Sequence, residues 1–500
     1  MVVAAVPMGL VIDRTRFSDE DRRCFVERLD RSLDVLAELL ARPGFGEGAP
    51  SLGAELELSL VDARGHAANR NVEMLRASDD PRLTVELDRF NIEANLRHGP
   101  LADRSLSRLV DECHDCLREI GRAAATQAVE SVMIGILPTL SLSDLQHEAM
   151  TSSRRYEALS RSLRQLRHGP FQLDIHGEED LQVACDDVTL EGAATSFQVH
   201  LRVPPDQFAR VYDAIQLATP VVLALAANSP TFLGRRLWNE TRIALFKQAV
   251  DHRSERGTHG RPARVSFGDD WTGVPLDLFR ETVQRHVPLL PVVDQEDPVE
   301  ALAAGVTPSL RELRLHQSTV WRWNRAIYDS SKGGHLRIEM RALPSGPTVV
   351  DMVANAAFHI GLALDIAPEA DGWRREIAFG TVSADFYRAA RDGLDTQIEW
   401  PVSLGGRGGA SGIPALLSML LDRAQRGLTR AGVSPADSSA FLRIIERRGH
   451  VGQTGASWQR AALAQAEHSR PREEAIAVMF RSYLDRQRDG EPVDRWRLQA

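Results

Sequence analysis

The sequence has 500 residues, of which 43% are hydrophobic and 26% are charged, which is the composition of an ordinary globular protein. Its 69 Asp and Glu residues outnumber its 60 Lys and Arg residues and give a net charge of −9 at pH 7. This excess argues against a nucleic-acid-binding protein, whose footprint would be basic, but it does not exclude phosphate binding, because a bound cation can offset the repulsion.

The first half of the chain alternates helical and strand patterns. The predicted elements, in order, are a helix over 18–40, strands over 52–61 and 83–96, a helix over 101–129, and strands over 132–137 and 195–203. The first helix is predicted from leucines at helical spacing, with Ser18 as its N-cap. The strands are predicted from alternation of apolar and polar residues.

The second half is more helical and contains three segments without regular periodicity. Its predicted elements are a helix over 206–227 kinked at Pro220, loops over 251–270 and 291–309, a strand over 335–343, a helix over 348–366, a Gly-rich loop over 401–414, and helices almost to the C-terminus. The first two loops are long enough to act as lids.

The pattern of the strands predicts an α+β fold with an antiparallel sheet and helical flanks, because the strands of a parallel sheet would read as continuous apolar runs. No Gly-rich phosphate loop of a common type lies between a strand and a helix. We divide the chain into an N-terminal helical segment over 1–45, an α+β domain over 46–400 and a helical region over 401–500.

The cysteines and the apolar segments indicate the compartment. Four cysteines are too few for a disulfide scaffold in a chain of this length, and we interpret the lone CxxC of Cys113 and Cys116 as two small residues on a helix face. Residues 1–11 have no basic region typical of a signal peptide. The apolar run over 218–227 is about half the length of a membrane span. We predict a cytoplasmic protein that binds no membrane.

Three predicted strands carry ionisable side chains on one face. The three polar faces contain Glu55 and Glu57, then Gln198, His200 and Arg202, and finally Arg337, Glu339 and Arg341. A sheet with one face in water would explain any one of these strands. The recurrence of Glu, His and Arg in place of Thr, Ser and Lys instead favours a binding face.

A fourth strand segment adds Glu86 and Glu93. Because their numbers differ by an odd value, an unbroken strand would place them on opposite faces, so a bulge near 89–91 is needed to direct both to one site. If the glutamates converge, charges about 4 Å apart repel by roughly 4 kcal/mol at an effective dielectric constant near 20. Bound protons or cations must relieve this repulsion, and oxygen ligands favour Mg²⁺ or Mn²⁺ over zinc. His200 could serve as a further ligand, as a hydrogen-bond donor or as a structural residue.

Six short segments, in order along the chain, match the motifs of one known family. They are GAELE at 53–57, FNIE at 90–93, TSFQVH at 195–200, ANSP at 227–230 with ETR at 240–242, HQSTVW at 316–321 with Arg325 and RIEMR at 337–341, and DFYRAARDGL at 385–394. Over about residues 50–400 the chain thereby resembles glutamate–cysteine ligase family 2, a group of ATP-dependent carboxylate–amine ligases in the glutamine-synthetase-like superfamily. Gln198 and His200 combine features of two branches of that group, so the acceptor amine stays open.

The resemblance implies a fold, cofactors and a set of site residues. The fold is a glutamine-synthetase-like curved antiparallel sheet flanked by helices, with a ligase catalytic domain over 46–400 and a helical C-terminal extension. The cofactors are ATP and Mg²⁺, with Mn²⁺ as an alternative. The implied metal ligands are Glu55, Glu57, Glu93, Glu339 and His200. The implied catalytic residues are Arg242 and Arg341. The implied substrate and ATP contacts are Gln198, Glu86, Arg325, Arg337 and His316.

The reaction implied by the resemblance joins a carboxylate, the γ-carboxylate of L-glutamate, to an amine such as L-cysteine through an acyl phosphate, as in glutathione biosynthesis. The partners are then small amino acids and amines, and a homo-oligomer is compatible with the resemblance. Two other classes stay open. One is a non-catalytic relative that senses a nucleotide or an amino acid, and the other is a phosphotransferase or hydrolase that uses the same metal cluster.

Overall fold

The computed structural model describes residues 12–253 and 261–498. The prediction for residues 1–11 and part of the predicted loop over 251–270 therefore lie outside the described residues. The α-helices are α1 (Asp19–Ala41), α2 (Asn71–Arg76), α3 (Ser105–Thr126), α4 (Arg154–Arg167), α5 (Pro205–Ala226), α6 (Thr241–Ala249), α7 (Pro275–Arg285), α8 (Pro298–Ala303), α9 (Arg311–Gln317), α10 (Val349–Ile366), α11 (Ala370–Trp373), α12 (Phe379–Asp392), α13 (Ile413–Arg430), α14 (Pro435–Val451), α15 (Gly455–Glu467) and α16 (Arg472–Asp489). The strands are β1 (Ser51–Val61), β2 (Leu83–Val85), β3 (Asn91–Pro100), β4 (Glu130–Val132), β5 (Phe171–His176), β6 (Asp180–Cys185), β7 (Phe197–Arg202), β8 (Thr231–Phe232), β9 (Arg235–Arg236), β10 (Val265–Ser266), β11 (Trp321–Arg322), β12 (Asn324–Asp329), β13 (His335–Met340), β14 (Gln397–Glu399) and β15 (Ala410–Gly412).

Local sequence signals define several of these elements. Helix α1 begins with a capping box, in which the Ser18 Oγ accepts from the Asp21 N–H and the Asp21 carboxylate accepts from the Ser18 N–H. Thr348 caps α10 in a related way by accepting from the Asp351 N–H at 3.3 Å. Helix α5 continues through the buried Pro220, so the predicted long helix is present and is not interrupted at this proline.

One seven-stranded sheet organises the structure. Its strand order is β12-β13-β7-β1-β3-β2, and β4 pairs with β1 outside this order. Every pair of neighbouring strands in it is antiparallel. The sheet and the helical C-terminal region confirm the predicted α+β fold.

The apolar face of the sheet packs on helices that are buried almost all round. Leu56, Val199 and Ile338 are each fully buried in the same hydrophobic cluster as α5 and α10. Helix α5 and the helical stretch Val349–Trp373, which begins with α10, are long and apolar enough to span a membrane by length and composition, but 89% of the most apolar part of each is buried inside the protein. A helix that is apolar on all sides is expected in this core position.

Three predictions of secondary structure were wrong in part. Of the predicted strand over 132–137 only Val132 lies in a strand, at the end of β4. The predicted loop over 291–309 contains α8, and the Gly-rich loop over 401–414 contains β15. The C-terminal helices share hydrophobic clusters with the sheet region. The division at residues 45 and 400 stays a prediction.

Candidate active site

The register of the sheet brings the predicted polar face together. Three cross-strand pairs place Glu57 opposite Glu93, Glu55 opposite Gln198, and Glu339 opposite His200. Paired residues on antiparallel strands lie with their side chains on the same face. The polar residues that the sequence assigned to separate strands thus form one continuous surface.

The first cluster on this surface contains Glu55, His200 and Glu339, whose potential ligand atoms lie within 4.8 Å of one another. Glu339 is almost fully buried and accepts from Arg325 Nε at 2.7 Å, from Arg325 Nη2 at 3.0 Å and from Arg341 Nη1 at 3.1 Å. Burial would raise the pKa of Glu339, but the two arginines hold it well below its usual range. Glu339 is therefore an anion that the fold maintains.

Arg337 fixes the ring of His200. The Arg337 Nε donates to His200 Nδ1 at 3.0 Å, so Nδ1 is the acceptor and a neutral ring carries its proton on Nε2. That Nε2 lies 3.1 Å from Glu55 Oε1 and 3.7 Å from Glu339 Oε1. His200 Nε2 is thus close to both carboxylates without a hydrogen bond to either of them, and it can bind a metal only if the ring proton moves to Nδ1 and the bond from Arg337 is given up.

The second cluster contains Glu57, Glu86 and Glu93, again with potential ligand atoms within 4.8 Å. Glu57 accepts from the Ser196 N–H at 2.6 Å, from the Ser196 hydroxyl at 2.9 Å and from Gln198 Nε2 at 2.6 Å. Burial and the neighbouring Glu86 nevertheless raise the pKa of Glu57 to about 7. Burial also raises the pKa of Glu86 and, together with the other carboxylates, raises that of Glu93 well above its usual range.

The chain between β2 and β3 directs Glu86 and Glu93 to the same place. Residues 86–90 leave the sheet and form a turn in which the Asn91 N–H donates to the Asp88 carbonyl at 2.9 Å. This is the interruption that the odd spacing of the two glutamates required. Asn95 Nδ2 then donates to Glu93 Oε1 at 2.8 Å and orients the carboxylate.

Two predicted arginines take different positions. Arg341 lies among the carboxylates and contacts the Gln198 side chain; burial opposes its charge, but Glu339, Glu57 and Glu55 raise its pKa. Arg242 is buried behind it, where its Nη1 contacts Glu240 at 3.1 Å and the Ala342 carbonyl at 3.1 Å. The donors of Arg242 thus hold the end of the sheet, although the side chain is close enough to lower the pKa of Glu57.

Two sequence features lie away from the clusters. The structure turns His316 to the helices, where its Nε2 lies 3.2 Å from the Thr282 carbonyl and its ring packs edge-on against Phe25. Cys113 and Cys116 are buried on α3, and burial raises the pKa of both thiols, that of Cys116 to about 12. In the described residues, the groups with the spacing of metal ligands are the two clusters above.

The sequence analysis missed three residues of this surface, in a segment for which it predicted no element. Arg155 lies in the first turn of α4 and donates from Nη2 to the Ser318 hydroxyl at 2.9 Å, and the neighbouring Tyr156 donates to the Val85 carbonyl at 3.3 Å. Glu191 faces Glu86 and Glu57, and burial together with these charges raises its pKa to about 8. Their local sequence carries no strand or motif signal that could have placed them.

The donor set fits hard divalent cations. Carboxylate oxygens dominate both clusters, and such ligands suit Mg²⁺ and Mn²⁺. Burial and the neighbouring carboxylates raise the pKa values of Glu57, Glu86 and Glu93, and the nearby charge of Arg341 does not offset this for Glu57 and Glu86. A cation placed there would lower these pKa values and relieve the repulsion.

Comparison with known proteins supports the same class of protein. The family model described as "Glutamate-cysteine ligase family 2(GCS2)" matches residues 51–477, and no curated protein matches the sequence significantly. The structure of glutamate–cysteine ligase from Francisella tularensis in complex with AMP is similar over 89% of this chain and 90% of that one, with 12% identity and a TM-score of 0.54. A bifunctional glutathione synthetase from Pasteurella multocida is similar over 92% of this chain and 55% of that one, with 13% identity and a TM-score of 0.45. At these identities the Francisella structure supports the fold, and the family match covers most of the chain.

Proposed function

We propose that this chain, which belongs to glutamate–cysteine ligase family 2, catalyses the ATP-dependent joining of a carboxylate to an amine. The observation that carries the proposal is the pair of carboxylate clusters on one face of the sheet, each with ligand atoms within 4.8 Å. Arg341 lies between them, in contact with Gln198 and Glu339. Acidic metal ligands beside a fixed arginine are the groups that phosphoryl transfer requires.

Each cluster would hold a cation. The ligands would be Glu55, Glu339 and His200 in the first cluster and Glu57, Glu86 and Glu93 in the second. Bound Mg²⁺ or Mn²⁺ would supply charge neutralisation for the phosphates of ATP. Gln198 and Ser196 orient Glu57, while Arg325 orients Glu339. Arg337 orients His200. The predicted role of Arg242 becomes that of supporting Arg341, whose carbonyl it approaches at 3.4 Å.

The proposed chemistry has two steps. An oxygen of the donor carboxylate attacks the γ-phosphorus of ATP, and ADP leaves, which gives an acyl phosphate. The amine nitrogen then attacks the acyl carbon, phosphate leaves, the nitrogen loses its proton and an amide forms. Arg341 would donate to the charge that develops in both steps, a role worth about 3–4 kcal/mol when a single donor is removed. Its planar fork suits phosphate and carboxylate oxygens.

The family description supports L-glutamate as the donor and L-cysteine as an acceptor to test first. The γ-carboxylate of L-glutamate as the reacting group is part of the proposal. The proposal extends to a cytoplasmic enzyme of small-molecule metabolism that engages neither nucleic acid nor membrane. The net charge of −9 supports the exclusion of nucleic acid.

Amine-dependent ADP release tests the proposal. The purified full chain is incubated with ATP, MgCl₂ and L-glutamate, with and without a panel of amines that includes L-cysteine, and the amide is identified by mass. Glu339→Gln should abolish release, whereas Glu148→Gln, at an exposed glutamate outside the site, should not. ADP release that needs no amine and yields no amide would instead indicate a phosphotransferase or hydrolase. ATP binding without turnover across a panel of donor acids would indicate a sensor.

A further inference from the structure

The polar face contains hydrogen-bond donors that no acceptor satisfies. Arg155 uses Nη2 on the Ser318 hydroxyl, but its Nη1 is buried and has no partner among the described residues. Gln317, only 6% exposed, also has a buried amide nitrogen, Nε2, without a partner there. Buried donors are nearly always satisfied in folded proteins. Two orphaned donors, one on Arg155 and one on the residue that precedes its partner Ser318, therefore indicate a missing acceptor.

Contacts with Arg325 connect these donors to the carboxylate clusters. The Arg325 Nη1 donates to the Gln317 carbonyl at 3.4 Å, while its Nε and Nη2 bind Glu339. The turn at 317–318 is thus held by Arg325 on one side and by Arg155 on the other. Arg155 is also near enough to Glu86 and Arg325 for their charges to act on it. Arg155 is thus near the second cluster through Glu86, and Gln317 is connected to the first cluster through Arg325 and Glu339.

The charge of Arg155 is not compensated within the described part of the chain. No carboxylate of the described residues forms an ion pair with it, whereas Arg325, Arg337 and Arg341 each have one. Burial accordingly lowers the pKa of Arg155. Arg155 is half-buried and its Nη1 is fully covered, so removing this charge from water without a counter-ion is costly and a ligand that supplies an anion would be favoured.

Helix α4 adds to the attraction for an anion. Arg155 lies in the first turn of this 14-residue helix, and the residue at its N-cap, Ser153, makes no capping bond with its side chain. The first N–H groups of an uncapped helix carry partial positive charge. The helix start, the guanidinium and the Gln317 amide all favour the same kind of group.

We propose that Arg155 and Gln317 bind the carboxylate of the donor acid that is not activated, and so select a dicarboxylic donor. The inference rests on the proposed ligase function and adds to it the groups that choose the acid. In the proposed function the metal sites and Arg341 bind the phosphates and the reacting carboxylate. The second carboxylate of the donor is then the anion that still lacks a partner. The planar donors of Arg and Gln side chains match carboxylate oxygens. Because they can bind phosphate oxygens as well, the experiment distinguishes binding of the donor acid from binding of ATP.

The test uses the full chain and the variants Arg155→Gln and Gln317→Leu. The control is Arg154→Gln, at the adjacent exposed arginine of the same turn. We expect Arg155→Gln to raise the KM for L-glutamate about 10- to 100-fold, as when a buried charged hydrogen bond is lost, with a smaller change in kcat and a KM for ATP within about twofold. The preference for L-glutamate over 4-aminobutanoate, which lacks the second carboxylate, should shrink by a similar factor. Arg155→Lys should restore part of the affinity.

A binding measurement separates failure of the subsite from failure of the proposed function. Thermal stabilisation by L-glutamate, L-aspartate and succinate, with ADP and MgCl₂ present, should be larger for the wild type and for Arg154→Gln than for Arg155→Gln. This readout requires no turnover, so a protein that makes no amide can still support the subsite. A rise in the KM for ATP with an unchanged KM for the donor would assign the donors to phosphate and overturn the proposal. Equal stabilisation of wild type and Arg155→Gln by all three acids would overturn it as well.

Discussion

Replacing Glu57 by Gln is expected to stabilise the metal-free protein by an amount that grows with pH. Burial and Glu86 raise the pKa of Glu57 from 4.5 to about 7. Between these two values the native state binds more protons than the unfolded state, so stability falls as the pH rises. The penalty is below about 1 kcal/mol at pH 5 and reaches about 3 kcal/mol at pH 8.

The amide of the Glu57→Gln variant carries no charge, so it avoids this penalty, and it keeps a side-chain oxygen for the two donors of Ser196. It loses the acceptor of Gln198 Nε2, which lowers stability by an amount that does not depend on pH. The free energy of unfolding of Glu57→Gln should therefore exceed that of the wild type by about 2–3 kcal/mol more at pH 8 than at pH 5. His252 and His316, whose pKa burial lowers to about 4, titrate alike in both proteins and cancel. Glu339, with its lowered pKa, is ionised throughout this range and contributes a constant amount.

Urea unfolding in EDTA at pH 5, 6.5 and 8 measures the difference, with Glu148→Gln as the exposed control. Adding MgCl₂ should reverse the order at pH 8, because the cation stabilises only a native state that binds it. A stability difference that is independent of pH, or largest at pH 5, would refute the burial of a repelled carboxylate at Glu57.

Three further outcomes follow from the packing and from the clusters. Arg448→Met should destabilise the protein by about 3–5 kcal/mol in urea unfolding, because it leaves the fully buried Asp351, now 2.7 Å from Arg448 Nη2, without its counter-ion; a loss below about 1 kcal/mol would contradict this. Gly427→Ala should cost at least about 1–3 kcal/mol, since its Cβ would lie 1.9 Å from a carbonyl of α10. Gly121→Ala, in open space on α3, should instead increase the free energy of unfolding by about 0.5–1 kcal/mol and so raise the melting temperature slightly. Glu93→Gln should lower the number of bound Mn²⁺ ions, counted by electron paramagnetic resonance, from two to one, and an unchanged count would remove Glu93 from the ligands.

The sequence alone determined the properties that depend on neighbours along the chain. Alternation along β1, β7 and β13 fixed which face of each strand is polar, because successive side chains of a strand point to opposite sides. Ser18 and Thr348 define the starts of α1 and α10, because each side chain accepts from the N–H of the residue three positions further along the chain. The family resemblance also followed from short local segments, and the match over residues 51–477 confirmed it.

Only the tertiary structure decided which groups meet. Whether Glu57 faces Glu93 and Glu339 faces His200 depends on the register between strands far apart in sequence, and alternation carries no information on register. The separate clusters follow from that register and from the turn before β3. The arrangement of donors around Arg325 depends in the same way on helices and turns that no local pattern aligns.

The same reason explains the residues whose surroundings differ from expectation. Arg242 and His316 lie in segments that match the family motifs and have side chains suited to a binding site. In the structure their polar atoms contact Glu240 and the Thr282 carbonyl instead. Arg155 lies in a segment without a predicted element, and Gln317 lies in a matching segment but had no predicted role, since what distinguishes both is a buried donor without a partner among the described residues. The sequence gives the chemical type of each residue, whereas its burial and its partners depend on contacts that form only in the folded chain.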